Sequence, residues 1–492
     1  MSHSAHRETT PTGAGAVAQA GSTSSADRRR WLALATLCLG TLMMVLDTTI
    51  VNVALPSIGS DLHLPETSLA WVVNAYLLTY GGFLLLGGRL GDLFGHRRLL
   101  VAGIAVFALA SLLCGLAGTP WLLIGARAVQ GLGGAVVSAV SLSLIMTLFP
   151  APRERAKAMG VYGFVAAGGG SVGVLLGGVL TDLLDWHAIF LVNVPIGALV
   201  LVLSFRLLPA ATATATTRRL DATGAVLITA ALVTAVYAVV DGNTAGWTSV
   251  QTLGLLTVAV VLLLVFIVVE RRVPAPLIPL KLLRKRNLVV ANVVGMLWST
   301  AMFAWLFLSA LYLQNVLGYA PLAVGLAFLP GNVLTAGLSL GVSARLVMRY
   351  GIRGTLATGL GVFGLGLLLL ARAPVDGHYL TDVLPAMVLL GAGSGIALNP
   401  MLLAAMSDVD PRDSGLASGI TNTGLMMGAA LGLASLAGLA SSRTAHVAGQ
   451  GEPANVALTA GYHIAFLVSG LMAIAAAIIS AVAIRIRSAA TR

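Results

Sequence analysis

The sequence predicts an all-α, polytopic membrane protein with fourteen crossings, on three observations. Of its 492 residues, 58% are apolar and only 10% charged, against about 45–50% and about 25% in soluble domains. Mean hydropathy is +0.94. The apolar residues also fall into blocks of roughly 20, each long enough to cross the ~30 Å hydrocarbon layer as a helix. An ordinary cytosolic globular protein is excluded.

Taken in order, residues 1–29 are rich in Ser, Thr, Ala and Gly and read as a disordered tail. Arg28, Arg29 and Arg30 precede an apolar run too long for a signal-peptide core, so 31–55 is the first span rather than a removed leader. Further blocks lie near 69–90, 98–117, 121–148, 156–181 and 186–206, completing a first group of six over 30–208. An Ala/Thr-rich linker and two more blocks, 221–241 and 250–269, occupy 209–275. The last six, near 288–313, 322–344, 354–372, 380–404, 414–438 and 461–484, fill 276–492.

Lys and Arg are retained in cytoplasmic loops. Here they gather in the tail and in alternate loops, at Arg97 and Arg98, 153–157, Arg218 and Arg219, 271–286, 345–353, Arg412 and 485–492. Both termini are therefore expected inside, with the chain in the plasma (inner) membrane. The net charge of +11 is scattered between apolar blocks rather than clustered on one face, which argues against nucleic acid. Cys38 and Cys114 both lie inside spans, so neither a disulfide framework nor a cysteine metal site is indicated. Walker loops, nucleophile triads and metal-ligand spacings are missing, so no enzyme and no cofactor is expected.

An internal repeat underlies the pattern. Residues 88–97 read GRLGDLFGHR and 344–353 read ARLVMRYGIR, so that Arg, Leu, Gly and Arg recur at an offset of 256. Pro152-Arg153-Glu154 and Pro411-Arg412-Asp413 echo one another at 259. Two parallel six-helix halves follow, with 221–241 and 250–269 inserted between them. Such halves are a transporter signature that places a substrate site at their interface near the midplane.

These motifs resemble the major facilitator superfamily, and within it the fourteen-span drug:proton antiporter branch of the QacA/EmrB type. The resemblance runs from about residue 31 over nearly the whole chain. Residues 46–56, LDTTIVNVALP, resemble the branch's own first-span motif, and Gly88 to Arg98 the superfamily's loop motif. Further matches are 127–135, RAVQGLGGA, the Gly-rich fifth span ending Gly177-Gly178, and 186–197 with Phe190, Asn193 and Pro195. Val174 stands where that branch usually has Pro, His187 where it has Arg, and Met348 where the second-half loop has an acid. The resemblance implies a major facilitator fold, two six-helix bundles plus two inserted helices, working by alternating access.

Asp47 is ionisable and deep in an apolar span, where it needs a cavity, a partner or water. At ~1.5 Å per residue, Asp47 lies about 12 Å below the outer end of its span and Arg127 about 9 Å below that of the fourth. The two can pair. Protonating Asp47 would then release Arg127, and a cationic substrate would compete with the proton for the carboxylate; a permanent ion pair fixing helix packing is the alternative. Arg127, Gln130, Gly134, Ser138 and Ser141 share a helical stripe expected to line the central cavity. Asn52, Tyr76, Trp298, Phe303, Trp305, Gln314, Asn332 and Asn399 are the other candidate cavity residues.

Gly169, Gly173 and Gly177, with Gly178, form a four-spaced close-packing face on which the halves could rock. The loop residues Gly88, Arg89, Asp92, Gly95, Arg97 and Arg98 are, by the resemblance, a latch for the outward-facing state. The expected function is proton-coupled export of amphipathic or cationic compounds, including antibiotics, by a monomer in contact with small molecules, protons and lipids. A narrow metabolite exporter or importer of the same fold is the alternative, and a non-transporting sensor or scaffold the next.

Overall fold

The computed structural model describes residues 14–208, 222–246, 248–273, 281–409 and 414–485, and every regular element among them is helical. Tail residues 1–13, the linker with Arg218 and Arg219, Arg412 and the last seven residues lie outside the described part. The first half comprises α1 (Ala14–Asp61), α2 (Glu66–Phe94), α3 (His96–Gly115), α4 (Pro120–Leu148), α5 (Pro152–Leu183), the short α6 (Ala188–Leu191) and α7 (Asn193–Leu207). An inserted pair follows, α8 (Ala222–Ala245) and α9 (Val250–Arg272). The second half holds α10 (Arg286–Leu311), α11 (Pro321–Gly337), α12 (Ser343–Leu370), α13 (Leu384–Met406), α14 (Ser414–Ala448) and α15 (Ala454–Ala483).

Helix α1 begins at Ala14, inside the segment read as a disordered tail. Its alanines are strong helix formers, and the helix behind them supplies the nucleus that a free peptide would have to build.

Local chemistry sets several helix ends. Thr119 accepts a hydrogen bond from the Leu122 amide (3.4 Å) with Pro120 behind it, an N-cap with proline at the first helical position. Ser249 caps α9 through the Thr252 amide at 3.1 Å. Asp408 reaches across from the end of α13 to accept from the Asn287 amide at the start of α10.

The repeat is visible in the backbone. Gly95 (φ 91°) turns the chain between α2 and α3, and Gly351 (φ 75°) breaks α12 at the matching position, 256 residues on. Both hold a left-handed backbone that only glycine adopts without strain. A single residue thus replaces the loop expected between 344 and 354, so 321–370 runs as one bent helical stretch. Packing repeats too: α1 lies on α5 and α7, and α3 on α4 and α7, while α10 lies on α14 and α15, and α12 on α13 and α15.

Between the halves, α5 meets α11 and α2 meets α14, each contact the symmetry mate of the other. Helix α8 lies across this seam, packed on both α2 and α14, and α9 rests on α8 with most of its surface exposed. Two threonines fasten the seam. Thr423 of α14 donates to the Gly81 carbonyl (3.3 Å) and Thr229 of α8 to that of Gly82 (3.0 Å). Among the described residues ten helices are long and apolar enough to cross a membrane, joined by shorter apolar stretches at 68–84, 172–183 and 223–239.

Candidate functional site

The centre of the first half holds a closed polar cluster. Arg127 Nη1 donates to Asp47 Oδ2 at 2.6 Å, with Arg127 1% and Asp47 0% exposed. The other carboxylate oxygen, Oδ1, accepts from Gln130 Nε2 (2.7 Å) and Asn193 Nδ2 (3.0 Å). Both amides also donate to Ser111 Oγ at 3.0 Å, and that hydroxyl donates to the Phe190 carbonyl at 3.0 Å. Arg127 Nη1 also donates to Gln130 Oε1 (2.7 Å) and its Nε to the Val72 carbonyl (2.9 Å). Tyr76 and Phe190 present their rings to the guanidinium, 4.4 and 5.6 Å from its carbon. An ion pair this far from water persists because each charge is also met by hydrogen bonds or ring faces.

Helices α1, α3, α4 and α7 each supply a member, and small residues bring them close. A Cβ on Gly131 would strike the Tyr76 carbonyl and the Thr79 hydroxyl. Its absence lets Thr79 donate to the Ala128 carbonyl (2.7 Å), which draws α2 and its Tyr76 ring onto Arg127. On the opposite flank a Cβ on Gly173 would strike Thr49 Oγ1 and come within 3.1 Å of the Leu46 carbonyl. Glycine there seats α5 on α1 beside Asp47. The turn ahead of α6 is pinned by Trp186, whose Nε1 donates to Asp61 Oδ2 at 3.0 Å. That anchor positions Asn193, the first residue of α7.

Gln130 is buried in this cluster and is not a cavity lining as expected. Its stripe turns toward α2, where a Cβ on Gly134 would meet Tyr76 and Tyr80. Tyr76 is likewise buried against Arg127. Ser111 and Asn193 are cluster members that the sequence reading did not assign; the only prior signal for Asn193 was its place in the 186–197 motif.

The other candidates do not converge. Trp305 is a core residue of the second half, its Nε1 on Met387 Sδ at 3.3 Å and its ring against Phe328 and Phe363. Phe303 and Trp298 are buried. Asn52 donates to the Thr48 carbonyl of its own helix at 3.1 Å, and Asn399 to the Ser339 carbonyl at 2.7 Å. Asn332 is half-buried. Gln314 joins the halves, donating to the Val53 carbonyl at 2.8 Å.

That bond lies at the end of the molecule carrying Asp61, where the halves are closed. A Cβ on Gly178 would sit 2.7 Å from the Pro321 carbonyl, and one on Gly325 3.0 Å from that of Val174. Gly178 therefore seals one half against the other, whereas Gly169, Gly173 and Gly177 face α1 within the first half. Toward the Arg97 end α5, α11 and the turn after it are open: a Cβ on Gly160, Gly163, Gly337 or Gly341 would meet nothing within 4 Å. In the motif around that end, Gly88 is helical, Gly95 makes the turn and Arg98 is exposed. Arg97 donates to the Phe205 carbonyl of its own half. The side chains of Arg89 and Asp92 lie outside the described residues.

Two repeated helical halves, closed on one another at one end and with a buried ion pair inside the first, make up a polytopic membrane protein. The sequence pattern of the Major Facilitator Superfamily matches residues 37–433, and the chain belongs to that family. It is 42% identical to the puromycin resistance protein pur8 of Streptomyces alboniger, over 85% of this chain and 83% of that one. It is 39% identical to the cephamycin export protein CmcT of Amycolatopsis lactamdurans, over 86% and 87%. In fold it is similar to a bacterial homologue of the lysosomal transporter Spinster, solved inward-facing and occupied, with TM-score 0.68, 14% identity and 92% and 96% coverage.

Proposed function

We propose that the protein is a proton-coupled exporter of antibiotics and related amphipathic or cationic compounds, of the fourteen-span drug:proton antiporter type. Relatives named for antibiotic resistance and export support the direction and the class of cargo. Counting the three shorter apolar stretches, and dividing 321–370 at Gly351, supports fourteen crossings. The arginine-bearing ends face the cytoplasm of the plasma membrane, both termini with them. The Asp61 end is then external, and the conformation described is inward-facing.

The observation that carries the reading is Asp47, the ionisable carboxylate at mid-span, held by Arg127 at 2.6 Å. A drug does not compete directly with the proton for this carboxylate, because Asp47 has no exposed surface and its hydrogen-bond partners all come from one half. Coupling runs through helix α1 instead. Protonation removes the anion that holds Arg127 and loosens the tie between α1, α4 and α7. Six residues along α1, about 9 Å on, Val53 carries the carbonyl to which Gln314 of the other half is bound. A shift of α1 therefore reaches the external closure. Arg89 and Asp92 act in this reading as part of the cytoplasmic latch of the opposite state.

The test is proton release from purified, reconstituted protein on addition of ethidium, comparing wild type with Asp47→Asn. Release in wild type and none in the variant is expected. Equal release in both, or ethidium bound and transported with no proton moved, would overturn the reading.

A further inference from the structure

The donors around Asp47 suit only one of its protonation states. An ionised carboxylate accepts hydrogen bonds and nothing more; once protonated it becomes a donor and needs an acceptor. All the side chains that reach it, Arg127, Gln130 and Asn193, present N–H groups. A cluster that binds a proton must supply an acceptor from somewhere.

The two amides are not equivalent in this respect. Gln130 Oε1 is engaged by Arg127 Nη1 at 2.7 Å and lies 3.7 Å from Cys114 Sγ, so inverting that amide would press its NH2 against a guanidinium. Asn193 is 1% exposed, yet its Oδ1 has no hydrogen-bond partner. A buried carbonyl oxygen without a donor is uncommon and carries a standing cost. Turning Asn193 over therefore sacrifices no bond of its Oδ1 and gives that oxygen the donor it lacks once Asp47 carries a proton.

We propose that Asn193 is a positioning residue that registers the protonation of Asp47 by inverting its side-chain amide. This rests on the reading of Asp47 as the proton carrier. In the ionised state Nδ2 donates to Asp47 Oδ1 and Ser111 Oγ, as described. On protonation, a proton taken from water on the accessible side forms an O–H bond at Asp47 Oδ1. A half-turn of the amide then brings Asn193 Oδ1 to the place of Nδ2, where it accepts that O–H. Ser111 keeps the hydrogen bond from Gln130, and its hydroxyl can donate either to the Phe190 carbonyl or to the inverted amide. The inversion gives up the two bonds donated by Asn193 Nδ2, to Asp47 Oδ1 and Ser111 Oγ; the O–H is the one covalent bond formed, and the positive charge gained equals the proton taken up.

Among the described residues, the titratable groups facing Asp47 are Arg127 on α4, Tyr76 on α2 and Cys114 on α3, while α6 and α7 bring the neutral Phe190 and Asn193. Arg127 keeps Gln130 Oε1, the Val72 carbonyl and two ring faces when its anion is neutralised. Asn193 stands just after the break between α6 and α7. Its inversion changes the tie that joins α1 to the start of α7 from one accepted by Asp47 to one donated by it.

The experiment is infrared difference spectroscopy across a pH titration of reconstituted protein carrying isotope-labelled asparagine. The expected spectrum pairs a carboxyl band, absent in Asp47→Asn, with an asparagine amide-carbonyl band that shifts at the same midpoint and vanishes in Asn193→Leu. The amide band should also stay silent in Asp47→Asn, where the carboxyl that drives it is gone. A titrating carboxyl with a silent amide overturns the role of Asn193. No titrating carboxyl in wild type overturns the proton-carrier reading itself.

Discussion

Alanine at Gly173 adds one methyl group at the place where α5 leans on α1. The new Cβ collides with Thr49 Oγ1 and lies 3.1 Å from the Leu46 carbonyl and 3.2 Å from Leu46 Cα. Thr49 is itself bonded to the Val45 carbonyl at 2.9 Å, and backbone cannot rotate aside. Overpacking of this kind costs about 1–3 kcal/mol. A favourable Gly→Ala change in a helix returns no more than about 1 kcal/mol; with contacts this short against backbone the cost lies in the upper part of that range, and a net loss of about 1–2 kcal/mol is expected. Gly163→Ala on the same helix is the control: with no neighbour within 4 Å it should be neutral or slightly stabilising. Cys38 and Cys114 are both free and buried, so a thiol-reactive dye reports thermal unfolding without engineered probes. Because Leu46 precedes Asp47, the displaced helix also stretches the short bonds to the carboxylate, and ethidium-triggered proton release should fall with stability. If Gly173→Ala unfolds at or above the wild-type temperature, alongside Gly163→Ala, the close contact is not holding α1 in place.

Further outcomes follow from the same geometry. Arg127→Gln or Asp47→Asn alone should cost stability at the low end of about 3–5 kcal/mol, with the double variant recovering most of it; additive losses in the dye assay would mean the two charges do not act as a pair. Trp305→Ala should lose about 3–5 kcal/mol of stability while the Kd for ethidium in folded protein stays unchanged; a large affinity change would return Trp305 to the cavity. Gln314→Leu removes a hydrogen bond between halves worth about 0.6 kcal/mol in a membrane, or about threefold in the closed–open ratio. Labelling of a cysteine placed at Val53 should rise accordingly, and unchanged labelling would show that the external closure does not depend on Gln314.

The helical fold was legible because apolar block length is a one-dimensional signal, and the repeat survived as a short string around Gly95 and Gly351. Helical rise alone put Asp47 and Arg127 at similar depth, which sufficed to pair them. Orientation about the helix axis was harder. The stripe from Arg127 to Ser141 marks a polar face, but which neighbour that face meets depends on close approaches at Gly131 and Gly134 that no periodicity reveals. Ser111 gave no signal, since a single serine in an apolar helix is ordinary until its partners are known. Trp305 erred the other way: an aromatic ring at mid-span suits a cavity wall and a packed core equally, and only Phe328, Phe363 and Met387 decide for the core.

All the side chains tied to Asp47 by hydrogen bonds fall between residues 47 and 193. Among the described residues, no side chain from Arg286 to Ala483 bonds to Asp47, and the hydrogen bond from that half to α1 falls on the Val53 carbonyl. In the proposed reading, proton capture is thus housed in one half, and a substitution among the later helices leaves the bond lengths around Asp47 undisturbed.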